Sequence, residues 1–193
     1  MKKLSIFVIL ASLLTCSSVF AQSSNNITWE MAVVKWTVSG EESFSPRRPI
    51  PLKSGDDYYF YIQASSPAYC YVVQENSDRT SVIIFNGRLT AGLDMPIPED
   101  NDLTVPSGTG TIRYYVVVSS TPRANLDRRG TLSGAQHTAL IDEIQAISAG
   151  LSIAAEAPEL PVRMGGGTRG SAAINAYQYE GEDTYVKTVV ITY

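Results

Sequence analysis

Two cysteines and one histidine are all the thiol and imidazole that 193 residues offer. Cys16 falls in the first apolar run, so Cys70 is the one thiol left to a folded domain and an intramolecular disulfide is excluded. A lone cysteine inside an apolar β-pattern reads as a small buried hydrophobe rather than a nucleophile. His137 has no cysteine or second histidine to join it in a metal centre, and on its helix it reads as a surface residue. Charge is scarce too, at 18 % of residues with a balance of −4. That sign argues against nucleic acid or an anionic membrane surface as partner, since both need a basic face. After residue 21 no apolar run approaches the roughly 20 residues of a membrane-spanning helix.

Phosphate-binding and calcium-binding loops are missing as well. Gly165-Gly166-Gly167-Thr168-Arg169-Gly170 matches the dinucleotide fingerprint letter by letter, but no βαβ unit surrounds it and no Lys-Ser or Lys-Thr follows. It reads as a flexible loop. Glu99, Asp100 and Asp102 lack the spaced oxygen ligands and distal glutamate of an EF-hand, and read as a solvated acidic turn. Arg47-Arg48 in a proline-rich stretch is a solvated pair by the same reasoning. No cofactor follows from any of these.

What is present begins with an export leader. Lys2 and Lys3 precede an apolar stretch over 4–14, and Val19-Phe20-Ala21 is a small-residue cleavage site, so the mature chain is expected to start at Gln22. The alternative is a lipobox ending at Cys16, with Thr15 departing from the usual small residue before that cysteine. Residues 22–26 form a short polar tail, and 27–193 suit a single domain. The sequon at Asn26-Ile27-Thr28 carries little weight behind a short lysine-led leader of bacterial type.

The domain reads as β-structure organised around 55–85. There, runs of aromatic and β-branched residues at 58–64, 69–75 and 81–85 alternate with Ser-Pro and Asn-Asp breaks, the pattern of consecutive antiparallel strands. A strand over 27–38 is apolar on both faces, which predicts packing on two sides or a bulge. The stretches 39–53 and 86–105 read as loops, 111–119 as a central strand and 184–193 as the closing strand. Tyr58, Tyr59, Tyr61, Tyr69, Tyr71, Tyr114 and Tyr115 are expected to cover sheet faces with their hydroxyls in water. One helix is expected over 134–149, capped at Ser133 with Gln136, striped by Leu140, Ile144, Ile147 and Leu151, and stopped at Gly150.

Residues 52–122 resemble the bacterial domain-of-unknown-function family numbered 4384. The resemblance is carried by Ser54-Gly55-Asp56 leading into Tyr58, Phe60 and Tyr61, and by Ala68-Tyr69-Cys70-Tyr71-Val72. It continues through Asp78, Val82 to Asn86, and Gly110 ahead of Tyr114 to Ser119, without the glycine usual in the turn near Asp78. The resemblance implies a β-sandwich of envelope and exported proteins, joined elsewhere to kinase or caspase-like peptidase domains. It implies no catalytic residues.

The fold class that follows is mostly β: an antiparallel sandwich, Ig-like or jelly-roll-like, of seven to nine strands with one packed helix. The function that follows is a non-catalytic accessory module of the bacterial periplasm or envelope, binding another envelope protein through exposed loops. Leu93 and Met95 in 86–106, and Arg169 in 165–170, are the candidate contact residues. The alternatives are a lipoprotein anchored through Cys16 and a secreted hydrolase, for which His137 is the one available base.

Overall fold

The computed structural model describes residues 26–151, 161–164 and 174–193. The leader, the Ala21-Gln22 junction, Cys16 and Arg169 lie outside the described residues. Fourteen elements follow one another, in the order β1 (Asn26–Thr37), β2 (Gly40–Phe44), β3 (Ile50–Pro51), β4 (Asp57–Ala64), β5 (Ala68–Glu75), β6 (Ser81–Leu89) and β7 (Met95–Ile97). The chain continues with β8 (Leu103–Thr104), β9 (Thr111–Ser119), β10 (Gly130–Leu132), α1 (Gly134–Leu151), β11 (Pro161–Met164), β12 (Ile174–Glu182) and β13 (Thr184–Thr192).

These strands build a β-sandwich. The first sheet runs β11-β12-β1-β4-β7, with β2 beside the second half of β1 and β8 beside the start of β4. The second runs β10-β6-β5-β9-β13-β3, antiparallel throughout except where β3 meets β13. Period-two alternation decides what lies between the sheets. Trp29, Met31 and Val33 of β1 and Phe60 and Ile62 of β4 face Cys70 and Val72 of β5, Tyr114, Val116 and Val118 of β9, and Val189 and Ile191 of β13.

The sandwich is apolar on its outer sides as well. Tyr71, Val73 and Val117 project from the second sheet onto Leu140, Ile141 and Ile144 of α1, with Leu126 and Leu132 closing the layer. The expected helical stripe therefore packs on a sheet face, although α1 extends to Leu151 rather than 149. On the far side of the first sheet, Ala32, Val34, Tyr59, Tyr61, Ile174 and Ala176 form a third buried cluster. This accounts for the two-faced pattern of β1, whose ladder with β4 is unbroken from Trp29↔Ala64 to Lys35↔Tyr58.

Four sequence expectations need correction. The stretch 55–85 is not one meander, because β4 pairs with β1 in the first sheet while β5 and β6 pair in the second. The Ser65-Ser66-Pro67 break is a corner between sheets, held where the Ser65 amide and hydroxyl both donate to the Thr28 carbonyl at 2.9 Å. Stretches 39–53 and 86–105 are not irregular throughout, since β2 and β3 lie in the first and β7 and β8 in the second. Their strands are two to five residues long and complete sheets only through distant partners, so no local period announces them. They raise the strand segments above the seven to nine expected, together with β10, β11 and β12, which the turn-rich sequence around them concealed.

The tyrosines are the fourth. Tyr58, Tyr59, Tyr61, Tyr71 and Tyr114 are at most 2 % exposed, so their hydroxyls are in the protein rather than in water. Buried phenols need partners. Tyr59 donates to Glu41 Oε1 at 2.5 Å, and Tyr71 accepts the Arg123 amide at 2.9 Å.

Candidate functional site

At one end of the sandwich the first sheet is covered only by the two residues of β8, and the sheets part there into a cleft of about 210 Å³. Its walls come from the end of β5 and the turn after it (Gln74, Glu75, Asn76, Ser77), from Leu103 and Thr104 of β8, from Thr111, Ile112 and Tyr114 of β9, and from Pro106 and Tyr193. Pairing between Gly110 and Tyr193, N–H to carbonyl in both directions at 2.7 and 3.0 Å, carries the Tyr193 ring to the rim. Gly110 permits the close approach: a Cβ there would stand 2.8 Å from the Tyr193 hydroxyl.

A directed chain of hydrogen bonds runs through Tyr114, Gln74 and Asn76 of the wall and on to residues outside the cleft. Tyr58 and Tyr114 meet hydroxyl to hydroxyl at 2.6 Å, and Tyr114 donates to Gln74 Oε1 at 3.1 Å, which leaves Tyr58 the donor of the first bond. Gln74 Nε2 then donates to Asn76 Oδ1 at 2.7 Å, Asn76 Nδ2 to Thr80 Oγ1 at 3.0 Å, and the Thr80 hydroxyl to Asp78 Oδ1 at 2.6 Å. Burial pushes the Tyr58 phenol up to about 12, and burial pushes Tyr114 up as well. Both hydroxyls therefore stay protonated at neutral pH, and neither is poised as a base. The one carboxylate on the wall, Glu75, is tied to the Arg113 guanidinium at 3.1 Å and the Tyr115 hydroxyl at 2.8 Å. The cleft is thus a neutral site of amides, hydroxyls and aromatic edges. Its volume is below the roughly 300 Å³ at which pockets for drug-sized molecules begin, and suits a side chain or one small polar ring.

Three further polar groupings lie elsewhere. His137 is half-buried rather than on the surface, and its Nδ1 lies 2.8 Å from Ser81 Oγ. A serine beside a histidine suggests a nucleophile and its base, but Ser81 is 0 % exposed, on a strand segment paired to both β5 and β10. A substrate carbonyl has no approach to it, and the contact fastens the start of α1 to β6. At the opposite end from the cleft, Arg123 donates from Nε to Ser119 Oγ at 3.2 Å and from Nη2 to Thr184 Oγ1, while those two hydroxyls meet at 2.9 Å. This knot ties β9 to β13 beside the Asp183 corner. A shallow depression of about 130 Å³ by Tyr69, Tyr71, Asn86 and Asp127 is the third. Among the described residues no three His, Cys, Asp or Glu side chains converge on a point that could hold a metal ion.

The sequence-nominated residues are not brought together. Leu93 is 60 % exposed, on a turn pinned where the Gly92 amide donates to the Ala64 carbonyl at 2.8 Å. Met95 belongs to β7, opposite Ile62, and packs against the core between the sheets, so the two residues do not form one exposed patch. Cys70 is buried, and burial raises its thiol well above the usual range. The cleft residues went unnominated because they come from four separate stretches. Only the dense tyrosines pointed toward them.

No family model, no curated protein and no solved structure matches the chain. The described residues include no helix long and apolar enough to cross a membrane.

Proposed function

We propose that the protein is exported and serves a bacterial envelope as a non-catalytic binding module, contacting another envelope protein with the end cleft as its recognition site. The observation that carries this reading is the cleft itself: concave, with its one wall carboxylate paired to Arg113, and with Tyr114, Gln74 and Asn76 of its wall held in place by hydrogen bonds before any ligand arrives. The export part rests on the leader over 1–21 and on the resemblance of 52–122 to family 4384. Leu93 is a second contact point on the same reading; Met95 is not.

The test combines fractionation with capture. The intact mass of the protein from its native host should give a soluble species beginning at Gln22; an acylated membrane species beginning at Cys16 would make it an anchored lipoprotein instead. Crosslinking in that host should then yield a discrete adduct that weakens about tenfold with Asn76→Ala or Tyr193→Ala, the loss expected from one polar contact of about 1.4 kcal/mol. An adduct indifferent to both substitutions removes the cleft from the interface. Turnover of any substrate that disappears with His137→Ala would overturn the non-catalytic reading.

A further inference from the structure

The end cleft opens to solvent and is lined by described residues. Ser77, Thr104, Pro106 and Thr111 are exposed, and Gln74, Asn76 and Tyr193 are half-buried. Its two sides differ in chemistry. Gln74, Asn76, Ser77 and Thr111 come from the second sheet and the turn after β5, and each carries an amide or a hydroxyl. Leu103 of β8 and Pro106 just after it stand on the side of the first sheet, with side chains of carbon alone. Tyr193 adds an aromatic ring at the rim.

The polar side is not used up by the fold. Gln74 Nε2 donates to Asn76 Oδ1 and Asn76 Nδ2 to Thr80 Oγ1, and a primary amide has two hydrogens to give, so an N–H remains on each. The hydroxyls of Ser77, Thr111 and Tyr193 have no hydrogen-bond partner among the described residues. An occupant that covers these groups must bond them, because stripping them of water without replacement is costly. Charge narrows the occupant further. No lysine, arginine or histidine lines the cleft, so a carboxylate or phosphate finds no counter-charge there. Its one carboxylate, Glu75, is held by Arg113 and Tyr115, so an ammonium group finds none either.

We propose that the cleft takes one neutral sugar ring of the pyranose type, displayed on the partner protein. A pyranose carries hydroxyls around its edge, each able to donate and accept, and a face of C–H groups. The hydroxyls match the amides and hydroxyls of the second sheet, and the C–H face matches Leu103, Pro106 and the Tyr193 ring. A volume of about 210 Å³ suits a single ring rather than a chain of them. A neutral side chain of the partner is the competing occupant. An aliphatic one would cover the free N–H groups without bonding them, and an amide or phenol would meet only part of the polar set. The inference rests on the reading of the cleft as the recognition site and adds the chemistry of what enters it.

The probes are the methyl glycosides of glucose, galactose and mannose, and free N-acetylglucosamine. They are titrated into the full mature chain and followed by the side-chain amide resonances of Gln74 and Asn76. Propionamide and p-cresol, which stand in for glutamine and tyrosine side chains, are titrated in parallel. At least one sugar should move both resonances and saturate, and neither side-chain mimic should. Thr111→Val removes a hydroxyl that the fold does not use and should weaken that sugar about five- to tenfold, while Thr111→Ser keeps the hydroxyl and should bind as wild type does. The same sugar should compete away the crosslinked adduct of the native host, and enzymatic deglycosylation of the partner should abolish it. If no sugar moves the resonances, the sugar is overturned, and the cleft stays a recognition site where the adduct still depends on Asn76 and Tyr193. An adduct that survives both the sugar and deglycosylation overturns it as well. An adduct indifferent to Asn76 and Tyr193 overturns the cleft as a recognition site and the inference with it.

Discussion

Tyr58 and Tyr114 approach from opposite sheets, ring centroids 6.4 Å apart and hydroxyls at 2.6 Å, with Phe60 edge-on to Tyr114 at 5.0 Å. Removing one hydroxyl leaves the other without its mate in a buried place, so Tyr114→Phe should cost about 1–3 kcal/mol in chemical denaturation. The double variant with Tyr58→Phe should cost less than the sum of the two single changes, because it strands no phenol. The same pair sets a pH limit. The unfolded Tyr58 loses its proton near its ordinary 10.0 and the folded one near about 12, so the unfolded state sheds the proton first. Stability therefore falls as pH rises through that window, by on the order of 3 kcal/mol at most, and is untouched at neutral pH. Thermal melts between pH 9 and 12 on wild type and Tyr58→Phe check it, the variant showing the shallower fall (a window set by about two pH units). At this scale the sequence announced tyrosine density but not tyrosine pairing. Tyr58 and Tyr114 are separated by strands of both sheets, and no local period relates them.

The elements divide by how local their causes are. The turn after β5 replaces the glycine that a left-handed residue prefers with Arg79, at φ 60°, and secures it through the Asp78 carboxylate, which accepts the Thr80 amide at 3.0 Å. Arg79→Gly should raise stability by up to about 1 kcal/mol, read as a shift in denaturation midpoint, since the exposed arginine gives up little. The helix was legible because its period of 3.6 lies within one stretch, yet Gly150 did not stop it and the surface it covers could not be read. Ile144 is 1 % exposed against Tyr71, Val73 and Val117, whereas Ile147 is half-buried at the margin. Ile144→Ala should therefore cost about 2–4 kcal/mol and Ile147→Ala about 1 kcal/mol, by denaturant titration. The short strands β2, β3, β7 and β8 were illegible for the converse reason. Each exists because a distant strand offers an edge to it.

Over the whole molecule, the first sheet joins the first described strand to the last but one. β1 pairs with β12 from Asn26↔Glu182 to Met31↔Tyr177, so its central strand cannot complete its ladder until residues about 150 positions away are in place. Long-range pairing of that kind delays the transition state, and refolding from denaturant should take on the order of milliseconds to seconds, by stopped-flow fluorescence of Trp29 and Trp36. Sub-millisecond refolding would contradict it. The topology also decides the surfaces offered to partners. Because β4 and β5 leave for opposite sheets at one end, and β8 is too short to cover the other, the cleft opens at that other end.

The amino-acid sequence by itself determined the class. Alternating apolar residues make strands whatever they pair with, and an apolar stripe of period 3.6 makes a helix, because both signals are carried by neighbours along the chain. It also determined the thinness of the chemistry, since one histidine and two cysteines are facts of composition. Tertiary structure alone decided which strand joins which sheet, which tyrosines meet and where the sheets part into a cleft. Those depend on contacts between residues far apart in the chain, such as Asn26 with Glu182 or Tyr58 with Tyr114, and pairing at that distance leaves no period to read.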